Sequence, residues 1–209
     1  MRLGCVHLII AAGILALCAV LLFAGAANGF ITLRPTERYG DAVGLLIANR
    51  CYANQFTVPG TGSIEISEIG LYCDGTSGSL LRLAIFTNDA ANSCPEEIVA
   101  NSDSGQLDTS AATYDAPFYA TYSTKPVVTG GSTYWIVAYG RGSNTAMSRF
   151  DSVGTYVQIS SGLTYPTWPT GTQWESATSY TREYSFYAVL SGGSGGSGGQ
   201  RMMLMGVGQ

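Results

Sequence analysis

Residues 80–88, which read LLRLAIFTN, constrain the fold more than any other stretch of the chain. From Leu81 to Ile85 every second residue is leucine or isoleucine, a period of two that is typical of a β-strand with one face on a core. Phe86 makes the opposite face apolar as well. We therefore expect an inner strand of a sheet, in which Arg82 is the one polar side chain that needs a partner.

A second strong strand is predicted at residues 133–139 (TYWIVAY), where both faces are apolar. Such a strand is typical of the centre of a sheet that is covered on both sides, and this position places Trp135 in the core. Within residues 63–73 (SIEISEIGLYC) the apolar positions change from one phase to the other. The change predicts a β-bulge near Ser67 and Glu68.

The rest of the chain repeats the pattern of short strands and turns. Roughly nine strands alternate with segments rich in Gly, Pro, Ser, Asn and Asp, and no helix is evident after the N-terminal segment. Only 11% of the residues are charged and Lys125 is the only lysine, whereas surface helices are usually rich in Glu and Lys. The prediction is an all-β fold, an antiparallel β-sandwich of the jelly-roll type over residues 28–190.

The first 27 residues form an apolar segment of their own. Arg2 precedes the run LIIAAGILALCAVLLF at residues 8–23, and small residues follow at 24–27. This order is typical of a secretory signal peptide, although the run also matches the ~20 residues that a membrane anchor needs. Both interpretations predict an N-terminal apolar helix and an extracellular or cell-surface location for the remaining chain. Only a retained anchor would contact a membrane.

The character of the chain changes again after Leu190. Residues 191–200 begin with SGGSGGSGG, which is typical of a flexible linker, and residues 201–209 form an apolar tail. Two interpretations of the tail remain open: a disordered end, or a strand that the linker delivers to an open sheet edge of the same chain or of another copy. The residues of this candidate assembly strand are Met202, Met203, Leu204, Met205 and Val207.

The sequence argues against an enzyme. The only histidine, His7, lies in the N-terminal segment, so residues 28–209 contain no Ser-His-Asp triad and no histidine metal ligand. A glycoside hydrolase needs two carboxyl groups within about 5–10 Å of each other, and the candidates are Glu65 with Glu68 or Glu175 with Glu183. Solvated surface positions explain these residues more simply, and we predict no catalytic residue.

The loop at residues 163–174 (LTYPTWPTGTQW) is the candidate ligand-binding site. Trp168, Trp174 and Tyr165 offer flat aromatic rings that can stack on the apolar faces of sugars, with polar edges that form hydrogen bonds. The alternative is that the loop folds back and buries its own aromatic side chains, as compact loops do. The ligand-binding interpretation predicts a surface glycan as the partner.

Three cysteines remain outside the N-terminal segment: Cys51, Cys73 and Cys94. If Phe56 and Ile64 flank a hairpin turn, the antiparallel strands bring Cys51 near Cys73, and we predict a disulfide between these two residues. Alternatively, all three are unpaired and behave as small hydrophobic residues. Their spacing does not match a zinc site.

Calcium is the one cofactor that the sequence leaves open. Oxygen ligands in the loops of extracellular modules often bind calcium, but Asp and Asn also favour turns through their own backbone hydrogen bonds. The net charge of −4 and the lack of a basic cluster argue against nucleic acid as a partner. The candidate ligands are Asp74, Asn88, Asp89, Asp103 and Asp108.

Four short stretches carry a resemblance: IGLY at residues 69–72, LRLAIF at 81–86, CP at 94–95 and YWI at 134–136. In this order they resemble a broad class of secreted jelly-roll modules of microbial surface, appendage and phage-associated proteins. The likeness covers under half of the chain and consists mostly of core positions, so it implies a fold and transfers no binding residue. By this resemblance the roles are adhesion, carbohydrate binding or appendage building.

Together these features predict a non-enzymatic extracellular subunit with a structural or adhesive role. Its copies would polymerise into a surface filament when the C-terminal strand of one copy pairs with another copy. A carbohydrate-binding module that uses the loop aromatics is the alternative function, and a glycoside hydrolase is the least favoured one.

Overall fold

The computed structural model describes residues 42–46, 49–114, 116–141, 146–151, 156–159, 162–180, 183–191 and 202–205. The predicted signal peptide or anchor at residues 1–27, the linker residues 192–200 and Val207 lie outside the described residues. Within the described part of the chain, no helix is long and apolar enough to cross a bilayer.

Short strands make up most of the described chain. One short helix, α1 (Gly171–Glu175), interrupts them. In chain order the strands are β1 (Ala42–Leu46), β2 (Cys51–Thr57), β3 (Ser63–Leu71), β4 (Cys73–Gly75), β5 (Leu80–Asp89), β6 (Cys94–Ile98), β7 (Leu107–Asp108), β8 (Phe118–Thr121), β9 (Val127–Thr129), β10 (Thr133–Arg141), β11 (Ala146–Asp151), β12 (Tyr156–Ile159), β13 (Thr178–Tyr180), β14 (Glu183–Tyr184), β15 (Phe186–Ser191) and β16 (Met202–Met205).

The described strands form three sheets. Within each sheet, every pair of neighbouring strands is antiparallel. The seven-stranded sheet has the order β13-β12-β2-β10-β5-β6, with β7 also paired to β5. The five-stranded sheet has the order β16-β15-β3-β8, with β9 also paired to β3. The four-stranded sheet has the order β1-β11-β14, with β4 also paired to β11. The prediction of a mostly antiparallel β fold is therefore confirmed.

Strand β10 lies inside the seven-stranded sheet, as its two apolar faces predicted. It pairs with β2 on one side and β5 on the other, so that Ile136 lies between Asn54 and Ile85. Because successive side chains point to opposite faces, Ile136 packs on one side of the sheet and Val137 on the other. Trp135 is 2% exposed, which confirms its core position.

The main core receives side chains from both the seven-stranded and the five-stranded sheets. Leu83, Ile85 and Ile136 of the first sheet belong to the same buried cluster as Ile69 and Ala188 of the second. All five are at most 2% exposed. Full burial of a leucine or isoleucine side chain stabilises a fold by about 1.5–3 kcal/mol, so this shared cluster contributes strongly to the stability of the fold.

A second buried cluster covers the opposite face of the seven-stranded sheet. It contains Phe86 of β5 and Trp135 and Val137 of β10, and Trp174 of α1 completes it. Further cover comes from half-buried side chains between residues 163 and 177. This face is therefore closed by an irregular segment, and the same segment carries the predicted ligand-binding aromatics.

Strand β3 contains the β-bulge that the phase change predicted. Val189 of β15 lies opposite Glu68, whereas the next residue, Leu190, lies opposite Ile66. Ser67 is therefore the extra residue, and its hydroxyl donates a hydrogen bond to the Val189 carbonyl at 3.2 Å. The bulge lets the isoleucines on both sides of it face the main core.

The predicted Cys51–Cys73 disulfide is wrong, because both residues, like Cys94, are buried free thiols. The prediction assumed that β2 and β3 form a hairpin, but the two strands belong to different sheets. Cys51 consequently packs in the second cluster, whereas Cys73 packs in the main core. Burial raises the pKa of the Cys51 thiol well above its usual value and raises that of Cys73 to about 12. Both are therefore protonated at neutral pH and are poor nucleophiles.

Candidate functional site

The candidate site forms where residues 163–177 cross the seven-stranded sheet. The residue pattern predicted only a loop here, but α1 follows Thr170, whose backbone N–H donates a hydrogen bond to Gln173 Oε1 at 3.0 Å. A side chain that reaches back to the first backbone donors is a common way to start a helix. The helix packs Trp174 against Phe86, with ring centroids 6.0 Å apart and an interplanar angle of 73°.

Arg82 on β5 has the polar partner that its inner-strand position required. Its Nε donates a hydrogen bond to Asp103 Oδ1 at 3.2 Å, and a second guanidinium nitrogen donates to Oδ2. The remaining nitrogen donates to the carbonyl oxygen of Pro166. Two-pronged pairing of this kind is stronger and more directional than a single contact. Arg82 therefore connects β5 both to the loop that contains Asp103 and to the loop that contains Pro166.

This pair also holds Trp168 in one orientation. The indole Nε1 donates a hydrogen bond to Asp103 Oδ2 at 3.0 Å, and the Arg82 guanidinium lies 5.1 Å from the ring centroid, a favourable cation–π contact. Phe86 and Tyr139 pack against the same ring at centroid distances of 5.6 and 5.7 Å. The ring is still partly exposed, so the surface carries a firmly held aromatic group.

The structure brings the three predicted loop aromatics together but does not present all of them to solvent. Trp174 is 1% exposed, which corrects its assignment as a ligand contact. Tyr165 packs on Tyr139 with ring centroids 5.1 Å apart, and its hydroxyl is buried. For these two residues the loop has buried its own aromatic side chains, because the apolar face of β5 and β10 beneath needs a cover. Trp168 is the member of the set that stays available.

Tyr165, Trp168 and Trp174 pack with Tyr139 in one cluster and form an aromatic cover on this face of the sheet. This aromatic cover contains buried polar atoms. Among the described residues, the hydroxyls of Tyr139 and Tyr165 and the Nε1 of Trp174 have no hydrogen-bond partner. Burial raises the pKa of Tyr139 to about 12 and also raises that of Tyr165. An unpaired buried polar group costs about 1–3 kcal/mol, so the aromatic cover is less favourable than an all-apolar core of the same size.

A surface groove of about 460 Å³ lies between β6 and residues 168–171. Phe86 is 1% exposed and lies at its base, and Trp168 lines one side. The groove is open to solvent, so it can contact one side of a ligand but does not enclose one. The full lining consists of Phe86, Glu96, Glu97, Ile98, Trp168, Pro169, Thr170 and Gly171.

The residues on the β6 side of this groove had no predicted role. Glu96 and Glu97 follow Pro95 on an edge strand, and both are exposed. Neither carboxylate forms a hydrogen bond or an ion pair with another described residue. Ile98, 40% exposed, follows them. The signal was an acidic pair next to an apolar residue, but only the fold shows that this pair lines the same groove as Trp168.

Two of the carboxylates considered for hydrolysis, Glu65 and Glu68, have separate partners. Glu65 accepts a hydrogen bond from Lys125 Nζ at 2.9 Å, and this contact holds the pKa of Glu65 below its usual value. Glu68 accepts a hydrogen bond from the Tyr187 hydroxyl at 2.9 Å. Glu175 is exposed at the end of α1. The absence of catalysis stays a prediction.

Four of the five residues considered for calcium serve other contacts in the described structure. Asp103 is ion-paired, and Asn88 Oδ1 accepts two side-chain hydrogen bonds at 2.8 and 3.0 Å. Asp89 and Asp108 each accept a hydrogen bond from the backbone N–H two residues later, at 2.8 and 2.9 Å, while Asp74 lies in β4. Within the described residues, no group of three or more Asp, Glu, His or Cys residues could hold a metal ion. Calcium stays a prediction.

The C-terminal tail forms β16 at the edge of the five-stranded sheet. β16 pairs antiparallel with β15, so that Met202 lies opposite Leu190 and Met205 opposite Tyr187. In this structure the tail is therefore a strand, and its acceptor is β15 of the same chain. Residues 192–201 connect the two strands, which is far more chain than the two to five or so residues of an ordinary hairpin loop.

Comparison of the chain with models of protein families, with curated proteins and with solved structures finds no match. No relative therefore contributes a function or a site residue. The resemblance to secreted jelly-roll modules stays a prediction.

Proposed function

We propose that this protein is an extracellular, non-enzymatic β-sandwich module of the jelly-roll type, with a structural or adhesive role in a surface assembly. Copies would join through the C-terminal strand. The observation that carries the proposal is the pairing of β16 with β15. A strand that closes a sheet edge from the end of a long Gly/Ser connection can close the same edge of a neighbouring copy.

The β-sandwich part of the proposal is supported by the main core. Ile69 and Ala188 of the five-stranded sheet share one buried cluster with Leu83 and Ile136 of the seven-stranded sheet. Two antiparallel sheets that bury their inner faces against each other are the arrangement of β-sandwiches. The secreted location depends on the apolar segment at residues 1–27.

The acceptor edge supports the assembly part. Residues 186–190 of β15 are all buried, and on its other side β15 pairs with β3. Without β16, β15 would be an edge strand with a row of unpaired backbone N–H and C=O groups, a template for another chain. The backbone hydrogen bonds that β16 makes do not depend on which copy supplies it.

The linker determines when copies would exchange strands. A strand on a short flexible tether experiences its own acceptor at an effective concentration of about millimolar. Pairing within one chain is therefore favoured in dilute solution. Pairing between copies requires a comparable local density, which chains reach when they are held side by side at one surface. The Gly/Ser composition lets the tail span to a neighbour without backbone strain.

The test is deletion of residues 200–209, with size measured by light scattering and negative-stain microscopy over a concentration series. We expect the full chain to form dimers and longer assemblies as its concentration rises, and the truncated chain to stay monomeric. Assemblies that are unchanged by the deletion would contradict the proposal. So would a full chain that remains monomeric at millimolar concentration.

A peptide control separates strand pairing from a nonspecific apolar effect. The peptide QRMMLMGVGQ should bind the truncated chain, whose β15 edge is open, and should bind the full chain much more weakly. The same peptide with the substitution Leu204→Pro should not bind, because proline lacks a backbone N–H and cannot continue the strand pairing. Equal binding of the two peptides would show that β15 does not recognise a strand.

A further inference from the structure

We propose that the groove beside Trp168 binds neutral sugar residues of a glycan. This site lies between β6 and residues 168–171, on a different sheet from the C-terminal strand. The proposal adds a recognition function to the structural role and does not depend on how copies assemble.

Trp168 provides the stacking surface. Its Nε1 is bound to Asp103 at 3.0 Å, and Arg82 lies over the ring at 5.1 Å. Phe86 contacts it in an edge-to-face arrangement with an interplanar angle of 69°. The ring therefore loses little conformational freedom when a ligand packs on the part that lines the groove, and a prearranged contact surface binds more tightly than a mobile one.

The β6 side of the groove supplies hydrogen-bond acceptors. Ionised carboxylates accept hydrogen bonds and donate none, and those of Glu96 and Glu97 form no hydrogen bond or ion pair with other described residues. They therefore select a ligand that is rich in donors, such as sugar hydroxyl groups. Thr170 also lines the groove, but its hydroxyl is already within hydrogen-bond distance of Thr172 Oγ1 at 3.1 Å.

Charge restricts the class of sugar. Two adjacent carboxylates repel uronic acids, sialic acids and sulfated sugars, and the net charge of the chain is −4. Arg82 does not offset this repulsion, because its guanidinium is engaged by Asp103 and by the Pro166 carbonyl. The groove therefore favours neutral sugars over acidic ones.

The shape of the groove favours a glycan chain over a small, fully enclosed molecule. Glu96, Glu97, Ile98 and Thr170 are all exposed along its rim, whereas Phe86 at its base is buried. A polymer can lie across such an open surface and place one ring on Trp168 while its neighbours remain in solvent. A small ligand would leave much of its own surface uncovered here.

The test is binding of the full chain to an array that carries neutral glucan, mannan, xylan and chitin oligosaccharides together with sialylated and uronate-containing ones. We expect binding to neutral glycans, with a loss of about tenfold for Trp168→Ala, as for removal of one aromatic contact. Binding to no neutral glycan, or a preference for acidic glycans, would overturn the proposal.

A second variant does not touch the contacts that hold Trp168. A Cβ at Gly171 would meet no atom closer than the Glu96 carbonyl oxygen at 3.9 Å, so Gly171→Leu should fold while its side chain fills the groove. We expect it to lose at least about tenfold in affinity, and the double variant Glu96→Gln, Glu97→Gln to lose several-fold. Retained binding in Gly171→Leu, with a native circular dichroism spectrum, would rule out the groove.

Matched controls lie on the five-stranded sheet. Glu65→Gln removes an exposed carboxylate and Tyr119→Ala an exposed aromatic ring, and neither should change glycan binding. The chain that lacks residues 200–209 should also keep its affinity for neutral glycans. A loss of binding in that truncated chain would show that recognition requires assembly and would contradict a self-contained groove.

Discussion

The two faces of the seven-stranded sheet are closed in different ways. One face, which contains Ile136, packs against side chains of the five-stranded sheet, and apolar residues from regular strands meet there. The other face, which contains Val137, is covered by α1 and by residues between 163 and 177. That cover includes an ion pair, a half-buried tryptophan and buried hydroxyl groups without partners among the described residues.

The two faces differ in what they contribute, since one carries the main core and the other carries the groove that we propose as a binding site. Sheet-to-sheet packing buries mostly apolar groups, and the hydroxyls of the tyrosines in this core (Tyr52, Tyr156 and Tyr184) are not among the buried described atoms that lack a partner. This face therefore stabilises the fold strongly. The irregular segment on the other face must also provide partners for polar groups such as Arg82 and Asp103. Trp168 is hydrogen-bonded to Asp103 and stays partly at the surface, where it lines the groove. Loops on a rigid sheet are a common place for binding residues for the same reason.

The largest effect is expected from a substitution in the main core. Ile136→Ala should lower the free energy of unfolding by about 3 kcal/mol, because it removes buried methyl and methylene groups and leaves a cavity. Val137→Ala, the matched change on the opposite face of β10, removes fewer carbons and should cost less. Urea unfolding measures both. A larger loss for Val137→Ala would mean that the aromatic cover is the more stabilising of the two faces.

A smaller effect is expected from the ion pair in the aromatic cover. Arg82→Met removes the charged hydrogen bonds to Asp103 and should lower the free energy of unfolding by about 2 kcal/mol. It should also make Trp168 more accessible to acrylamide quenching, because the ring loses the contacts that hold it. The change in quenching reports on Trp168, because Trp135 and Trp174 are buried. Arg141→Met, which removes an exposed guanidinium 5.7 Å from the Tyr165 ring centroid, is the matched control. Equal stability and quenching in the two variants would show that the Arg82–Asp103 pair does not orient Trp168.

The smallest effect, of opposite sign, is expected at Tyr139. Tyr139→Phe removes a buried hydroxyl without a described partner and should raise the free energy of unfolding by about 1 kcal/mol at pH 7. The gain should grow above pH 10, because the unfolded tyrosine ionises near 10 while the folded one resists ionisation up to about 12. Urea unfolding at pH 7 and pH 10.5 measures both. A less stable variant would show that the hydroxyl has a partner.

Much of the fold follows from local pattern. The alternation in residues 80–88 and 133–139 predicted inner strands with two buried faces, and β5 and β10 are such strands. The phase change near Ser67 predicted the bulge of β3. These predictions succeed because a strand places successive side chains on opposite faces, so burial is visible in the order of residues without knowledge of the partner strand.

The candidate site was predictable only in part. The sequence singled out segment 163–174 as a candidate, and in the structure Trp168 of this segment lines the groove. Which of its aromatics face solvent depends on how the segment lies on the sheet, and Trp174 is buried against Phe86. The carboxylates of Glu96 and Glu97 belong to a strand that is distant in the chain, and no local pattern links that strand to Trp168.

The sequence by itself determined the β class, the inner strands, the bulge and the presence of a separate apolar tail. The tertiary structure alone decided which strands share a sheet, and with it the placement of Cys51 and Cys73 in different clusters. It also decided that β16 pairs with β15 of its own chain. The physical reason is that the period of two reports burial within one strand, whereas strand pairing is set by contacts between residues far apart in the chain.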